Sequence, residues 1–313
     1  MDAVAGLLDG PRARDAFLLR STMDPPWSLR IQDEAPLTLV AIVRGSAWIA
    51  PDKGDAVRLA RGDVAIVRGP DPYTVADEPG TPPQAIIRPD QRCTTPDGQD
   101  VEMGYVGVRT WGNSADGETV MLTGTYNLDG EVSRRLLRAL PPLLVLRDAE
   151  WDCPLIPLMA DEIVKDAPGQ EAVLDRLLDL LLIAVLRAWF ARPEADAPAW
   201  YRAHADPVVG PALQLLHHSP DRNWTVASLA HETGVSRAAL ARRFNELVGE
   251  PPMTFLTGWR IALAADLLRE PGATVGSVAP QVGYGSPFAL STAFKRIRGI
   301  SPQQYRRRAL SVG

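Results

Sequence analysis

The sequence predicts an α+β protein: a β-barrel backed by helices, then an all-α domain. Three observations carry this. Short β-prone runs crowd residues 37–126, separated by Asp-Pro, Pro-Gly, Pro-Pro and Asp-Gly breakers. From Glu131 the apolar residues recur at helical spacing instead. In the last third one helix–turn–helix pattern occurs twice, with candidate N-caps Ser236 and Ser286 lying 50 positions apart. A length of 313 residues accommodates two domains of ~100–200 residues each.

In chain order, the candidate strands are 37–43, 47–50, 56–59, 64–67, 73–76, 84–87, 103–108 and 119–125. Many short strands at close spacing suggest a small barrel or sandwich over about 30–127. Val132, Leu136, Leu137 and Leu140 begin a helix that Pro141 and Pro142 end. A second helix is expected over 155–165 and a third from about 170 to 191. In the third, Leu174, Leu177, Leu178 and Leu181 share a face, and 180–186, with Val185 inside it, is apolar all round. Such a helix must be covered on both sides. Its own barrel covers one, and a second copy of the chain is the simplest cover for the other. Leu174, Leu177, Leu178, Leu181 and Val185 are therefore candidate homodimer residues, with plain core burial as the alternative. Residues 193–206, rich in Pro, Ala and charge, have linker composition. They divide a domain of 1–192 (helices about 130–191) from one of 207–313.

Composition narrows the function. Apolar residues make up 46% and charged residues 23%, as in ordinary globular chains. The net charge of −5 hides an asymmetry: residues 207–313 hold 12 Lys/Arg against 6 Asp/Glu. A basic third on an acidic protein points to a polyanion partner for that third. Two cysteines, Cys93 and Cys153, cannot build a disulfide framework. The apolar run Leu180–Leu186 is far short of the ~20 residues that span a bilayer, and the first residues carry acids rather than a leader's apolar core. A cytoplasmic, nucleoid-associated protein with no membrane partner is expected.

The first repeat, Thr225–Phe244, parses as a helix, a turn at Gly234, and a second helix capped by Ser236. Leu240 and Phe244 face the first helix, which leaves Arg237, Ala238, Ala239, Ala241, Arg242 and Arg243 outward. Small residues let a helix sink into the major groove; Arg242 could reach guanine O6/N7, and Arg237 and Arg243 could meet phosphates. The second repeat, Val275–Phe294, places Gly283 at the turn, Ser286 at the cap, and Leu290 and Phe294 at the same spacing. The intervening helix, 252–268, is ~25 Å long and can aim two reading helices at successive grooves. Lys295, Arg296, Arg298 and Arg306 to Arg308 are placed for phosphates.

These motifs resemble the AraC/XylS-type DNA-binding domain over about 207–308: Trp224-Thr225-Val226, Arg243-Phe244, Trp259-Arg260, Gly283-Tyr284-Gly285-Ser286, Phe294-Lys295-Arg296 and Gly299-x-Ser301-Pro302-x-x-Tyr305-Arg306. The resemblance implies seven helices with two helix-turn-helix units. It also implies base contacts from Ala238, Ala241 and Arg242 in the first unit and from Pro287, Phe288 and Thr292 in the second. The second set departs from the common pattern, because none of the three can make a bidentate base contact. Pro280 moreover falls inside that unit's first helix. The first unit, centred on Arg242, is expected to supply most specificity, the second phosphate contacts and shape readout.

The N-terminal part resembles the cupin-type sensor domain of some regulators in this family. The resemblance rests on Gly62-Asp63 between β-prone runs, Thr123-Gly124-x-Tyr126, Leu140-Pro141-Pro142 and Pro168-Gly169-x-Glu171. Metal cupins need a histidine cluster, yet His204, His217, His218 and His231 all lie outside the barrel. No nucleophile motif, phosphate loop or dinucleotide fingerprint appears, so neither metal nor cofactor is expected. Trp48, Tyr73, Tyr105, Trp111 and Tyr126 are candidates for lining a small-molecule pocket, with core packing the alternative for each. A Cys93–Cys153 redox switch stays open. The expected function is a DNA-binding transcription regulator. By family analogy it is an activator that works with RNA polymerase, acting as a homodimer on double-stranded DNA under a small-molecule effector or a stress signal. A cupin enzyme with a helical accessory domain and a constitutive DNA-binding protein are the competing readings.

Overall fold

A computed structural model describes residues 17–89, 91–101, 104–126, 130–151, 153–192 and 197–310. These form two units. One comprises the described residues up to 126 together with 140–192, and the other 130–139 together with 197–310.

The first unit is two facing sheets. Its strands are β1 (Phe17–Met23), β2 (Ser28–Ile31), β3 (Leu37–Arg44), β4 (Ser46–Pro51), β5 (Val57–Ala60), β6 (Val64–Arg68), β7 (Tyr73–Ala76), β8 (Ala85–Ile87), β9 (Cys93–Thr94), β10 (Tyr105–Gly107), β11 (Thr110–Gly112), β12 (Thr119–Tyr126) and β13 (Leu143–Leu146). One sheet runs β10-β11-β1-β12-β3-β6-β13, the other β5-β4-β7-β2-β8-β9. Strand β3 lies inside its sheet, paired with β12 and β6, and is buried on both faces from Leu37 to Ile42. Val40 and Ile42 enter the core between the sheets with Ile49, Leu59, Val75 and Met121. Leu39 and Ala41 alternate to the opposite face, where the helix at 155–163 lies against β3 and β1. Asp63 is the turn residue its sequence context suggests: its carboxylate accepts from the Ala60 and Asp148 amides at 2.9 Å each and pairs with Arg147 at 2.8 Å.

The helical segments begin with α1 (Glu131–Leu137), which belongs to the second unit. In the first unit α2 (Leu155–Ile163) and α3 (Gln170–Phe190) pack together against the seven-stranded sheet. Helix α3 sits so close to β12 that a Cβ at Gly124 would stand 2.6 Å from Leu178 Cδ1. The Tyr126 hydroxyl donates to the Leu178 carbonyl at 2.8 Å. This close seat corrects the dimer assignment. Leu174, Leu177, Leu178, Leu181 and Val185 are all buried within the single chain, by the stripe that meets the sheet. The apolar residues left outward on this helix pair are Leu158, Val173 and Leu180, with Val164 just past α2.

The second unit is helical throughout: α1, α4 (Ala199–Arg202), α5 (Val209–His218), α6 (Val226–Glu232), α7 (Arg237–Val248), α8 (Pro252–Leu267), α9 (Val275–Gln281), α10 (Pro287–Arg298) and α11 (Pro302–Leu310). Two expectations change here. Residues 197–206 are not linker: Trp200 and Ala203 pack with Leu213, Phe244 and Phe255 in the unit's core. Apolar contacts over long sequence separation outweigh a local composition that reads as loose. Residues 193–196 lie outside the described residues. Helix α1, expected among the helices of the first domain, packs instead on α8. Gly130 offers it no capping side chain, and Asp266 of α8 caps it from outside, accepting from the Glu131 amide at 2.5 Å and the Val132 amide at 3.1 Å. Glu131 pairs with Arg298 at 2.7 Å and Arg134 at 2.8 Å. Val132 joins Trp259 and Ala262 in a small apolar cluster, while the Arg135 guanidinium lies over the Phe255 and Trp259 rings, 5.5 and 5.9 Å from their centroids.

Candidate functional site

The two helix-turn-helix units are built by the same local chemistry. Thr225 and Ser228 form a capping box at the start of α6, and Thr274 and Ser277 repeat it at α9. Gly234 (φ +70°) and Gly283 (φ +76°) make the turns in the left-handed region. Ser236 Oγ then accepts from the Ala239 amide at 3.2 Å, as Ser286 Oγ does from Ala289, so each second helix begins at its expected cap. Leu240 and Phe244, and correspondingly Leu290 and Phe294, are fully buried and hold each second helix on the first. Pro280 lies inside α9, as the sequence places it.

The outward faces follow. Ser236, Arg237, Ala238 and Arg242 are exposed and Ala241 is half-buried; Ser286, Pro287, Phe288, Thr292, Lys295 and Arg296 are exposed. Phe288 is 81% exposed, the largest exposure among the outward large apolar side chains described. Arg242 has its nearest carboxylate, that of Glu246, at 3.9 Å. Arg243 is different. Its guanidinium clasps Asp206 with Nε at 2.8 Å and Nη2 at 2.5 Å, and this pairing pulls the Asp206 carboxyl down to about 2. A side chain expected to neutralise phosphate is thus committed to a carboxylate that also caps α5 through the Val208 and Val209 amides. Arg298 is likewise paired with Glu131, and Arg306 donates to the Ala273 carbonyl. Among the basic residues expected to face the backbone, Arg237, Lys295, Arg296, Arg307 and Arg308 have the exposure for it.

Sequence reading missed what aligns the two units. Arg260 of α8 donates to the carbonyls of Pro220 at 2.6 Å and Arg222 at 2.8 Å, ahead of the first unit. Its guanidinium also lies 5.7 Å from the ring centroid of Tyr284, in the second unit's turn. One side chain therefore ties both units to the connector. Its place beside Trp259 in the motif was the available signal. His217 is a core residue: burial, then the neighbouring His204 and Arg135, hold its pKa down to about 3, and its ring packs on Trp259 and Phe255. A neutral imidazole walled by rings is a poor candidate ligand.

Between the sheets of the first unit lies a cavity of about 500 Å³. Its walls follow strand alternation: Leu29, Ile31 and Asp33 from β2 and its extension, Met121, Thr123 and Thr125 from β12. Of the aromatic candidates Tyr73 and Trp111 line it. Trp48 does not, because Ala47 and Ile49 on either side of it point into the core and pleating turns it the other way. Tyr126 is held under α3 by the Leu178 carbonyl. Tyr105 pairs with Trp111 in the ladder, but its side chain, like residue 103 at the start of the expected strand, lies outside the described residues. Cys93 also lines the cavity; burial pushes its thiol up, away from the reactive thiolate. Cys93 and Cys153 are both unbridged. Asp33 was overlooked, although its i, i+2 spacing from Ile31 is a legible strand signal. Burial raises its carboxyl above the usual range, opposed by the Ala35 amide and the Gln91 side chain.

Among the described residues no group of three or more His, Cys, Asp or Glu could hold a metal, and no helix is long and apolar enough to cross a membrane. A cupin family model matches residues 2–191 and a helix-turn-helix domain model residues 229–308. A putative AraC-like transcription regulator of Streptomyces lividans is 33% identical over 293 residues, covering 90% of both chains. The HTH-type transcriptional regulator AlkR of Acinetobacter baylyi is 26% identical over 99% of this chain and 100% of its own. Among solved structures, the DNA-binding domain of AdpA in complex with a target DNA is 34% identical, covering 33% of this chain and 92% of that one, with a TM-score of 0.31.

Proposed function

This chain belongs to the AraC-like transcription regulators with an N-terminal cupin domain, and from that premise we propose how it reads DNA and how the reading is controlled. The observation that carries the proposal is the duplicated unit: two capped helices, each with its buried leucine–phenylalanine anchor and an outward N-terminal half. Helices α7 and α10 enter successive major grooves. Arg242 reads a guanine edge, with Ala238 and Ala241 letting α7 approach. In the second unit Phe288 packs on a thymine methyl beside Pro287 and Thr292, while Lys295 and Arg296 hold phosphates. Ser236, Arg237 and Ser286 add backbone contacts at the helix starts, and Arg243 acts through Asp206 rather than on DNA. The connector α8, 16 residues or ~24 Å long, is shorter than the ~34 Å groove repeat, so the duplex bends toward the protein.

Control comes from the first unit. A small-molecule effector occupies the cavity between the sheets. Helix α1, which precedes β13 in the chain, carries the change to α8 through Asp266 and Trp259. The protein acts as a homodimer through Leu158, Val173 and Leu180, whose apolar exposure on one helix pair fits a second copy. It activates by presenting RNA polymerase with a bound promoter. Sequencing of source-genome fragments captured by the purified protein at two salt concentrations tests the reading. A few promoters sharing a two-part motif should be enriched at both salts. Uniform capture that vanishes at high salt would leave only electrostatic binding and defeat it.

A further inference from the structure

We propose that the cavity of the first unit takes a hydrophobic amine, with an apolar body among the aliphatic walls and one protonated nitrogen against the Asp33 carboxylate. This deepens the effector reading above and rests on it. At about 500 Å³ the cavity falls within the ~300–1,000 Å³ of small-molecule sites.

The lining selects the chemistry in three steps. First, the body must be apolar. Leu29, Ile31, Val40, Val75, Ile87 and Met121 supply the larger part of the wall, and Ser21, Gln91, Thr123 and Thr125 add uncharged polar side chains. A sugar, polar on every side, would set some of its hydroxyls against the aliphatic wall, where each one left without a partner carries a cost. Second, the ligand is not an anion. Among the described lining residues there is no Lys, Arg or His, and Asp33 is the single carboxylate. A bound carboxylate or phosphate would meet like charge with nothing to offset it. Third, a plain hydrocarbon would strip water from Asp33 and give nothing back. That carboxylate accepts from the Ala35 amide at 3.2 Å, from its own amide and from Gln91, which leaves part of its four-site acceptor capacity unused. Tyr73, a phenol in the same lining, bonds Thr38. An ammonium group supplies the missing donors and the missing charge together, and the rings of Tyr73 and Trp111 in the same lining favour a cation further.

Three probes with one body separate the possibilities: 4-phenylbutylamine, 4-phenylbutan-1-ol and 4-phenylbutanoate, titrated calorimetrically into the full-length protein. The amine should bind about 10-fold or more tightly than the alcohol, as a charge-assisted bond requires, and the acid weakest. Asp33→Asn should bring the amine down to the alcohol while leaving the alcohol's affinity within about 2-fold; the retained alcohol binding shows the variant is folded. Thr123→Trp, which fills the cavity from β12, should abolish binding of both. Equal affinity of amine and alcohol, tighter binding of the acid, or an amine preference that survives Asp33→Asn would overturn the amine class while leaving the cavity reading intact. No binding of any probe, or binding that survives Thr123→Trp in a folded protein, would overturn the cavity reading and with it the proposal.

Discussion

Gly234 and Gly283 occupy the same position in the two helix-turn-helix units, yet alanine there should cost very different amounts. Both have φ in the left-handed region, +70° and +76°, where a Cβ costs about 1–2 kcal/mol. At Gly234 a Cβ meets nothing within 4 Å, so that cost is the whole of it. At Gly283 the Cβ would lie 2.5 Å from Arg260 Nη2 and 2.7 Å from the Pro220 carbonyl oxygen. Arg260 would have to retreat from one of the carbonyls it holds. A charge-assisted bond in a half-buried setting contributes about 1.5–3 kcal/mol. Gly234→Ala should therefore destabilise the helical domain by about 1–2 kcal/mol and Gly283→Ala by about 2.5–5 kcal/mol. Urea unfolding of the full-length variants, followed by circular dichroism at 222 nm, measures the difference. Equal losses would refute the reasoning, since they would mean that Arg260 does not clasp the two units. In an Arg260→Ala background the gap between the two substitutions should narrow, because the Pro220 loop is then free to give way.

Three further outcomes are expected. Arg242→Ala should weaken binding to a captured site by about 1–3 kcal/mol and relax selection at one base pair, read by competition among single-base variants; uniform weakening on every duplex would make Arg242 a phosphate contact. Asp206→Asn should change acid stability. The Asp206 carboxyl titrates near 2 when paired, below its unfolded value of ~3.9. Its contribution is complete above the unfolded value and is lost as pH falls through the folded one, so wild type should lose this stability between about pH 4 and 2 and the variant should not. The same substitution frees Arg243 and should steepen the salt dependence of DNA binding by about one counterion. Leu180→Glu, at a position 50% exposed, should leave the melting temperature unchanged while converting a dimer to a monomer in sedimentation equilibrium.

What was legible in the sequence was whatever short-range chemistry dictates. Ser236, Ser286, Gly234 and Gly283 mark caps and turns that depend only on neighbours a few residues away, and the structure places them as read. The strand-rich and helix-rich parts were legible for the same reason. The failures share a cause in contacts across long sequence separations. Arg243 meets Asp206 37 residues away, and Glu131 meets Asp266 135 residues away. No periodicity encodes either pair. Residues 197–206 looked like linker because Pro, Ala and charge describe their surface, while Trp200 and Ala203 carry the packing. The apolar stripe of α3 was legible, but not which partner covers it. The seven-stranded sheet takes Leu174 to Val185, and the large apolar residues left outward on the helix are Val173 and Leu180. Trp48 and Tyr126 failed as cavity residues because inward and outward on a strand are set by pairing register, whereas Asp33 lies on the inward face two residues past Ile31.

Hydroxyl-radical footprinting of the full-length protein on a captured promoter tests the central claim most directly, that two reading helices on one connector enter successive grooves. Each protomer should protect two backbone patches on one face of the duplex, about 10 base pairs apart. The patches should disappear on a scrambled duplex of the same composition. A single protected patch per protomer, or the same protection on the scrambled duplex, would contradict the account.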